Sequence, residues 1–216
     1  MRAALIRLLV IVIFLLFDAG CLQAQVVSGD YDSLLIGVDP TGGTITGYYA
    51  NFTGLDESTG KPLFSCIFFL KGSMKGPPPY TIDTWFPADK TRKGLITGSL
   101  TPVESDGAAA LKIKLPKEHG GCWNVEHFAD DDGASFPLEA PGKWKTIRVV
   151  SAQRAYFHDD ASESKKRKAY AVKGDPLRVY ESRPGWVYAE FRNPDGKTTA
   201  GWIKESELFP ADPPAK

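Results

Sequence analysis

Three histidines and three cysteines are the side chains of this 216-residue chain with the widest reach in metal and covalent chemistry. His119 and His127 bracket Cys122, and Glu126 and Asp130-Asp131-Asp132 lie close by; His158 stands apart. A metal site needs three or four converging donors, with neutral imidazole or thiolate among them. On an alternating strand Glu126 and His127 point to opposite faces, and an oxidised Cys122 leaves only two imidazoles and some carboxylates. The Asp run also lacks the alternate spacing of a calcium-binding loop. It reads as a polar turn, and no metal is expected. A Cys–His nucleophile needs a reduced thiolate at a helix start, and neither Cys66 nor Cys122 follows a helical start signal. The Asp and Glu residues are not grouped as the paired carboxylates of glycoside cleavage would be. There is no Gly-rich phosphate loop, and Asn51-Phe52-Thr53 fits the glycosylation sequon by chance. No catalytic residue and no cofactor follow from these patterns. The expectation is a binding protein and not an enzyme.

The N-terminus addresses the chain. Arg2 and Arg7 precede an apolar run that ends at Phe17, too short to span a bilayer comfortably. Small residues follow at Ala19-Gly20-Cys21 and Ala24, the order of a secretory signal peptide over residues 1–24. Two cleavages compete. One falls after Ala24 and leaves Gln25 first. The other uses Ala19-Gly20-Cys21 as the end of a bacterial lipobox, with Cys21 lipidated, although Asp18 stands where an apolar residue belongs. Export to the periplasm or beyond, as a free protein or an outer-membrane lipoprotein, follows from either. Cys66 and Cys122 then form an even pair in an oxidising compartment, which reads as a structural disulfide. Basic and acidic residues balance at 26 each, so the field that draws proteins to nucleic acid is missing. No second apolar run is long enough for a membrane span, and the only membrane contact expected is a lipid on Cys21.

The elements read as all-β. Segments 31–38, 44–52, 64–71, 80–86, 95–100, 109–115 and 122–128 are rich in β-branched and aromatic residues and are separated by Gly, Pro, Asp or Asn. In Leu111-Lys112-Ile113-Lys114-Leu115 the alternation is strict, so one face is buried and the other wet. No segment carries a helical period with caps. Hairpin-length connections predict a barrel-like antiparallel meander over 26–140, with 53–63 and 87–94 as longer loops and the disulfide tying an early strand to a late one. Residues 141–146 read as a linker and the Pro-rich 210–216 as an extended, disordered tail.

Residues 147–209 carry a more specific pattern. Ala155-Tyr156-Phe157 precedes a charged loop from His158 to Lys168. Ala169-Tyr170-Ala171-Val172-Lys173-Gly174-Asp175 and Leu177-Arg178-Val179-Tyr180 follow. Gly185-Trp186-Val187-Tyr188-Ala189-Glu190-Phe191, the turn Asn193-Pro194-Asp195-Gly196 and Gly201-Trp202-Ile203 complete it. This succession resembles the bacterial SH3 domains of exported proteins. The resemblance implies a second, small barrel with Val179, Val187 and Ile203 in its core. It also implies a surface that contacts cell-wall polymer or an envelope protein. Aromatic groove positions of the family are matched by Tyr156, Trp186 and Phe157. Its proline-reading groove also uses a Pro and a Tyr after the last strand, where this chain has Lys204 and Glu207-Leu208. Proline-motif recognition is therefore not expected there.

Two surface features remain as candidate binding elements. Tyr156, Phe157, Tyr170, Trp186, Tyr188 and Trp202 can stack on sugars or peptide stems. Lys165-Lys166-Arg167-Lys168 gives a local positive field for anionic envelope polymers. The reading is an exported envelope-associated binding protein. Alternatives are a small-ligand carrier with its ligand inside the first barrel, and an accessory of a wall hydrolase.

Overall fold

The computed structural model describes residues 25–214; the expected signal peptide over 1–24, with Cys21, and the last two residues lie outside the described residues. The chain is all-β, with a strongly curled half-barrel sheet followed by a second sheet. The first sheet holds β1 (Gly29–Tyr31), β2 (Leu34–Asp39), β3 (Thr44–Asp56), β4 (Lys61–Ser73), β5 (Tyr80–Trp85), β6 (Ile96–Ser105), β7 (Ala108–Lys114), β8 (Ala134–Pro137) and β9 (Ala140–Pro141). Their order is β8-β7-β6-β5-β4-β3-β2-β1-β9, an antiparallel meander. The curl brings its two edges within reach of one short segment. β8 pairs with β7 and β9 with β1, while between them Leu138 N–H donates to Ala109 O and Glu139 N–H to Asp30 O. Edge groups that would otherwise face solvent are thereby satisfied.

The alternation at 111–115 behaves as its pattern demands: Leu111, Ile113 and Leu115 are buried, and Lys112 and Lys114 turn outward. Three other segments differ from their sequence reading. The stretch 31–38 is not one strand but a hairpin, because Asp32 and Ser33 both take left-handed backbone (φ 25° and 39°) and reverse the chain. The stretch 53–63 is not a loop. β3 and β4 continue through it as paired 13-residue strands, and the turn is stabilised by the Asp56 carboxylate accepting from Ser58 N–H and Oγ. The stretch 122–128 is not a strand. Cys122–Asn124 forms a 3-10 turn because the Cys66–Cys122 disulfide holds it against β4, with Cα atoms 4.4 Å apart. Gly121 leads in at φ 88°, and any Cβ there would sit 2.3 Å from Ser65 O, so glycine is required on both counts.

The curled sheet is packed with rings. Tyr49 and Phe68 stack at 5.1 Å, and Phe128 and Phe136 meet Tyr49 edge-on at 5.1 and 5.5 Å. All four are buried to 2 % exposure or less. Burial pushes the Tyr49 hydroxyl up to about 12. His119 lies parallel to Phe68 at 5.1 Å, with Nε2 2.7 Å from Thr84 Oγ1. The Thr84 hydroxyl donates to Ile96 O, which leaves its oxygen to accept from a neutral His119 Nε2–H. Burial, with Lys117 adding to it, lowers His119 to about 4.

The second sheet contains β10 (Thr146–Val149), β11 (Arg154–His158), β12 (Lys166–Val172), β13 (Pro176–Arg183), β14 (Trp186–Arg192) and β15 (Thr198–Lys204), in the order β10-β13-β14-β15-β11-β12. Val179, Val187 and Ile203 lie in its core with Phe157, Leu177 and Leu208. The segment 141–146 is not a free spacer. Trp144 is buried between the sheets and donates Nε1–H to Ile36 O, and Thr146 already belongs to β10. Ile147 N–H donates to Thr46 Oγ1, and the Arg178 guanidinium meets Asp30 at 2.8 Å. Residues 210–214 are not a loose tail either. Lys71 forms an ion pair with Asp212, and Arg92 Nη1 donates to Pro214 O.

Two consequences are measurable. Cys66→Ser with Cys122→Ser releases a loop of sequence separation 56, and urea titration should show a loss of about 4 kcal/mol in stability. A loss below about 1 kcal/mol would mean that the bridge does not act by closing the loop. His119 is neutral when folded, so the unfolded chain protonates first as pH falls. Stability should drop between pH 6.5 and about 4, and His119→Gln should flatten that part of the urea-midpoint profile.

Candidate functional site

The second sheet places the sequence-selected side chains on separate surfaces. β12 shows why: its residues alternate, so Lys166, Lys168, Tyr170 and Val172 face outward while Arg167, Ala169 and Ala171 turn toward the sheet. The charged stretch after His158 is a loop only as far as the 3-10 turn Glu163–Lys165, and then becomes strand. The basic run is thereby divided. Arg167 donates Nη1–H to Ala200 O at 2.7 Å and approaches Asp159 at 3.7 Å, so its charge is spent on the fold. Lys165 ends the 3-10 turn. Only Lys166 and Lys168 share a face with the tyrosines.

That face is the candidate site. Tyr156 and Tyr170 stand opposite each other in the β11–β12 register, with ring centroids 5.6 Å apart. Lys166 Nζ lies 3.6 Å from the Tyr156 ring centroid, and Arg154 Cζ 4.8 Å from that of Tyr170. Cation, ring, ring and cation thus form a ladder across two strands. A cation over an aromatic face is attracted by the ring quadrupole. The ladder is therefore held by its own side chains before any ligand arrives. β12 is also an edge strand, and Tyr170 is well exposed. Such a surface can stack a sugar or planar ring and pair an acidic group beside it.

The other aromatic residues have different neighbours. Tyr188 and Trp202 pair across β14–β15 and meet edge-on at 5.6 Å, with Arg183 Cζ 4.2 Å above the indole. Those neighbours leave Trp202 only 5 % exposed. Its ring is already covered on the outer side. Trp186 packs edge-on against His158 at 4.8 Å. His158 is itself buried, and its Nδ1–H donates to Tyr156 O and, at longer range, to Trp202 O. Phe157, chosen from the sequence as a groove position, is fully buried in the core and offers nothing to a ligand. Six aromatics selected together thus become a ladder, an indole capped by Arg183 beside an exposed Tyr188, a histidine support and a core residue.

The position expected for a proline slot is filled by charge. Lys204 pairs with Glu163, and this bond raises the Lys204 amine and lowers the Glu163 carboxyl. Burial raises the nearby Glu207 carboxyl, while Leu208 is core. A proline ring would have to displace an ion pair there.

Among the described residues, no group of three His, Cys, Asp or Glu side chains converges as a metal site would. Sequence reasoning missed the exposed apolar arm of β3–β4. Phe52, Leu55, Leu63 and Phe64 are more than 40 % exposed, and Trp123 stands at 66 %. Its signal was the apolar residues Phe52, Leu55, Leu63 and Phe64 on either side of the turn, and the intervening Asp, Glu and Ser residues concealed it. Compared with models of protein families, with curated proteins and with solved structures, the chain matches none.

Proposed function

We propose that this chain is an exported, envelope-associated binding protein without catalytic activity, and that its second sheet is an SH3-like module contacting cell-wall polymer or an envelope protein. The observation that carries the reading is the ladder Arg154–Tyr170–Tyr156–Lys166 on the open side of an edge strand. Wall polymers combine sugar rings with carboxylates on the same chain, and the ladder sets a cation over each of two tyrosine rings, so that a carboxylate can meet the cation while a sugar meets the exposed Tyr170. The disulfide is compatible with export. It also speaks against a thiol nucleophile, since both sulfurs are engaged. The ring-filled interior counts against the carrier alternative, because a ligand would have to displace Tyr49, Phe68, Phe128 and Phe136.

Co-sedimentation of the mature protein with purified peptidoglycan tests the reading. The wild type should pellet with the wall at low salt and less so at high salt, because exposed cations are screened. Tyr156→Ala with Tyr170→Ala should weaken binding at least about ten-fold, or about 1.4 kcal/mol. Tyr188→Ala should leave it nearly unchanged. Wild-type protein that stays in the supernatant would exclude wall binding, and equal binding by the double variant would exclude the ladder.

A further inference from the structure

The last described residues cross from one sheet to the other along a groove that the aromatic ladder does not touch. Phe209 closes the second sheet: its N–H donates to Val149 O, and its carbonyl accepts from Arg148 Nη2. Beyond it the chain runs beside the connection between β5 and β6. Trp85, Pro87 and Ala88 form one wall of a hollow of about 350 Å³, and Phe209, Pro213 and Pro214 form the other. A second apolar hollow of about 260 Å³ continues from it, sharing Pro87, Ala88 and Phe209 and reaching the half-exposed Phe86. The groove is therefore only partly filled by the segment that lies in it.

Polar contacts orient that segment at two points. The Lys71 amine takes the Asp212 carboxylate, and Arg92 Nη1 donates to Pro214 O at 3.0 Å. Lys90 adds a third cation to the same side. Asp89 also lines the groove, but its carboxylate is engaged by the N–H and hydroxyl of Thr91. The free charge facing the segment is positive, and the segment brings a negative one.

We propose that this groove is a docking site for an extended, acidic, proline-containing peptide segment, and that residues 210–214 are its resident occupant, displaced when a partner presents such a segment. Three of those five positions are proline. Proline-rich chain is pre-extended, loses little entropy on binding and lays its rings against aromatic walls. The tail is suited to exchange. Asp212 is 76 % exposed, and an exposed ion pair contributes at most about 1 kcal/mol. Its retention comes instead from tethering, which gives an attached segment an effective concentration in the millimolar range. A free segment with the same contacts must overcome that concentration, so the site is closed to weak competitors. This docking differs from the proline slot of SH3 domains in place and in composition. It uses Trp85 and Lys71 of the first sheet and does not involve Trp186, Lys204 or Glu207.

Fluorescence anisotropy with a labelled peptide of residues 209–216 tests the proposal on the mature full-length chain. Asp212→Lys should loosen the tail from Lys71 and bind the peptide up to about five-fold more tightly than the wild type does. Lys71→Asp alone should bind it no better than the wild type, since the peptide's own carboxylate then meets a like charge. Lys71→Asp with Asp212→Lys should reseat the tail and refuse the peptide. Both positions are at the surface, and unchanged circular dichroism identifies a folded variant. No gain for Asp212→Lys, or equal binding by all four proteins, would overturn the proposal.

Discussion

The molecule depends on the contact of β10 with the outer face of β2 and β3. The first sheet is curled, and each sheet contributes apolar residues to the contact. At the contact Gly37 has no room for a side chain, since a Cβ would lie 2.7 Å from Thr146 Cα. The backbones therefore approach to a distance that only glycine permits. Tyr48, Phe69, Trp85, Trp144, Ile147 and Val149 then form a core shared by both sheets. Two polar contacts fix its register: Ile147 N–H to Thr46 Oγ1, and Tyr48 hydroxyl to Gly174 O. At the rim, Asp30 receives both Arg178 and Arg192. The Asp30–Arg178 contact is nearly buried, and an arrangement of that kind specifies one orientation more than it adds stability.

This shared core has a consequence for where ligands can bind. Apolar surface is consumed inside the first sheet by packed rings and between the sheets by the seam. What remains is outer surface: the tyrosine ladder on β11–β12, the groove under the tail and the arm of β3–β4. The ladder and the arm lie away from the seam, whereas the groove under the tail opens beside it and shares Trp85 with the core. A chain of zero net charge has no bulk field of one sign, and its cations act locally, as Lys166 does over Tyr156.

The sequence reveals those parts of the fold that follow from local rules. The meander is legible because hairpins need only alternation and turn residues, and 111–115 obeys that rule residue by residue. It is misread where a distant contact decides the local conformation. Asp32-Ser33 turns the chain without glycine or proline, and a run of β-formers hides it. Cys122 sits in a 3-10 turn because its sulfur is bound to β4, although Val125 and Phe128 around it resemble strand. The β3–β4 arm was concealed for the opposite reason. It projects beyond the core, so its polar residues read as loop although backbone pairing continues. For the candidate site, the motif residues Tyr156 and Tyr170 were legible and their pairing was not. Register is a property of two strands together.

The divided basic run shows how much a single structural fact can change a functional reading. As a loop, Lys165 to Lys168 would be one flexible positive cluster, able to attract any polyanion and selective for none. As a strand, it alternates, and Arg167 is withdrawn to hold Ala200 O and face Asp159. Of the remaining cations, Lys166 and Lys168 stand at the spacing of the strand, and Lys166 lies over the Tyr156 ring. Charge alone attracts, whereas charge at a fixed distance from an aromatic face discriminates, because a ligand must satisfy both at once. The sheet therefore converts a composition that implies adhesion into a geometry suited to recognition.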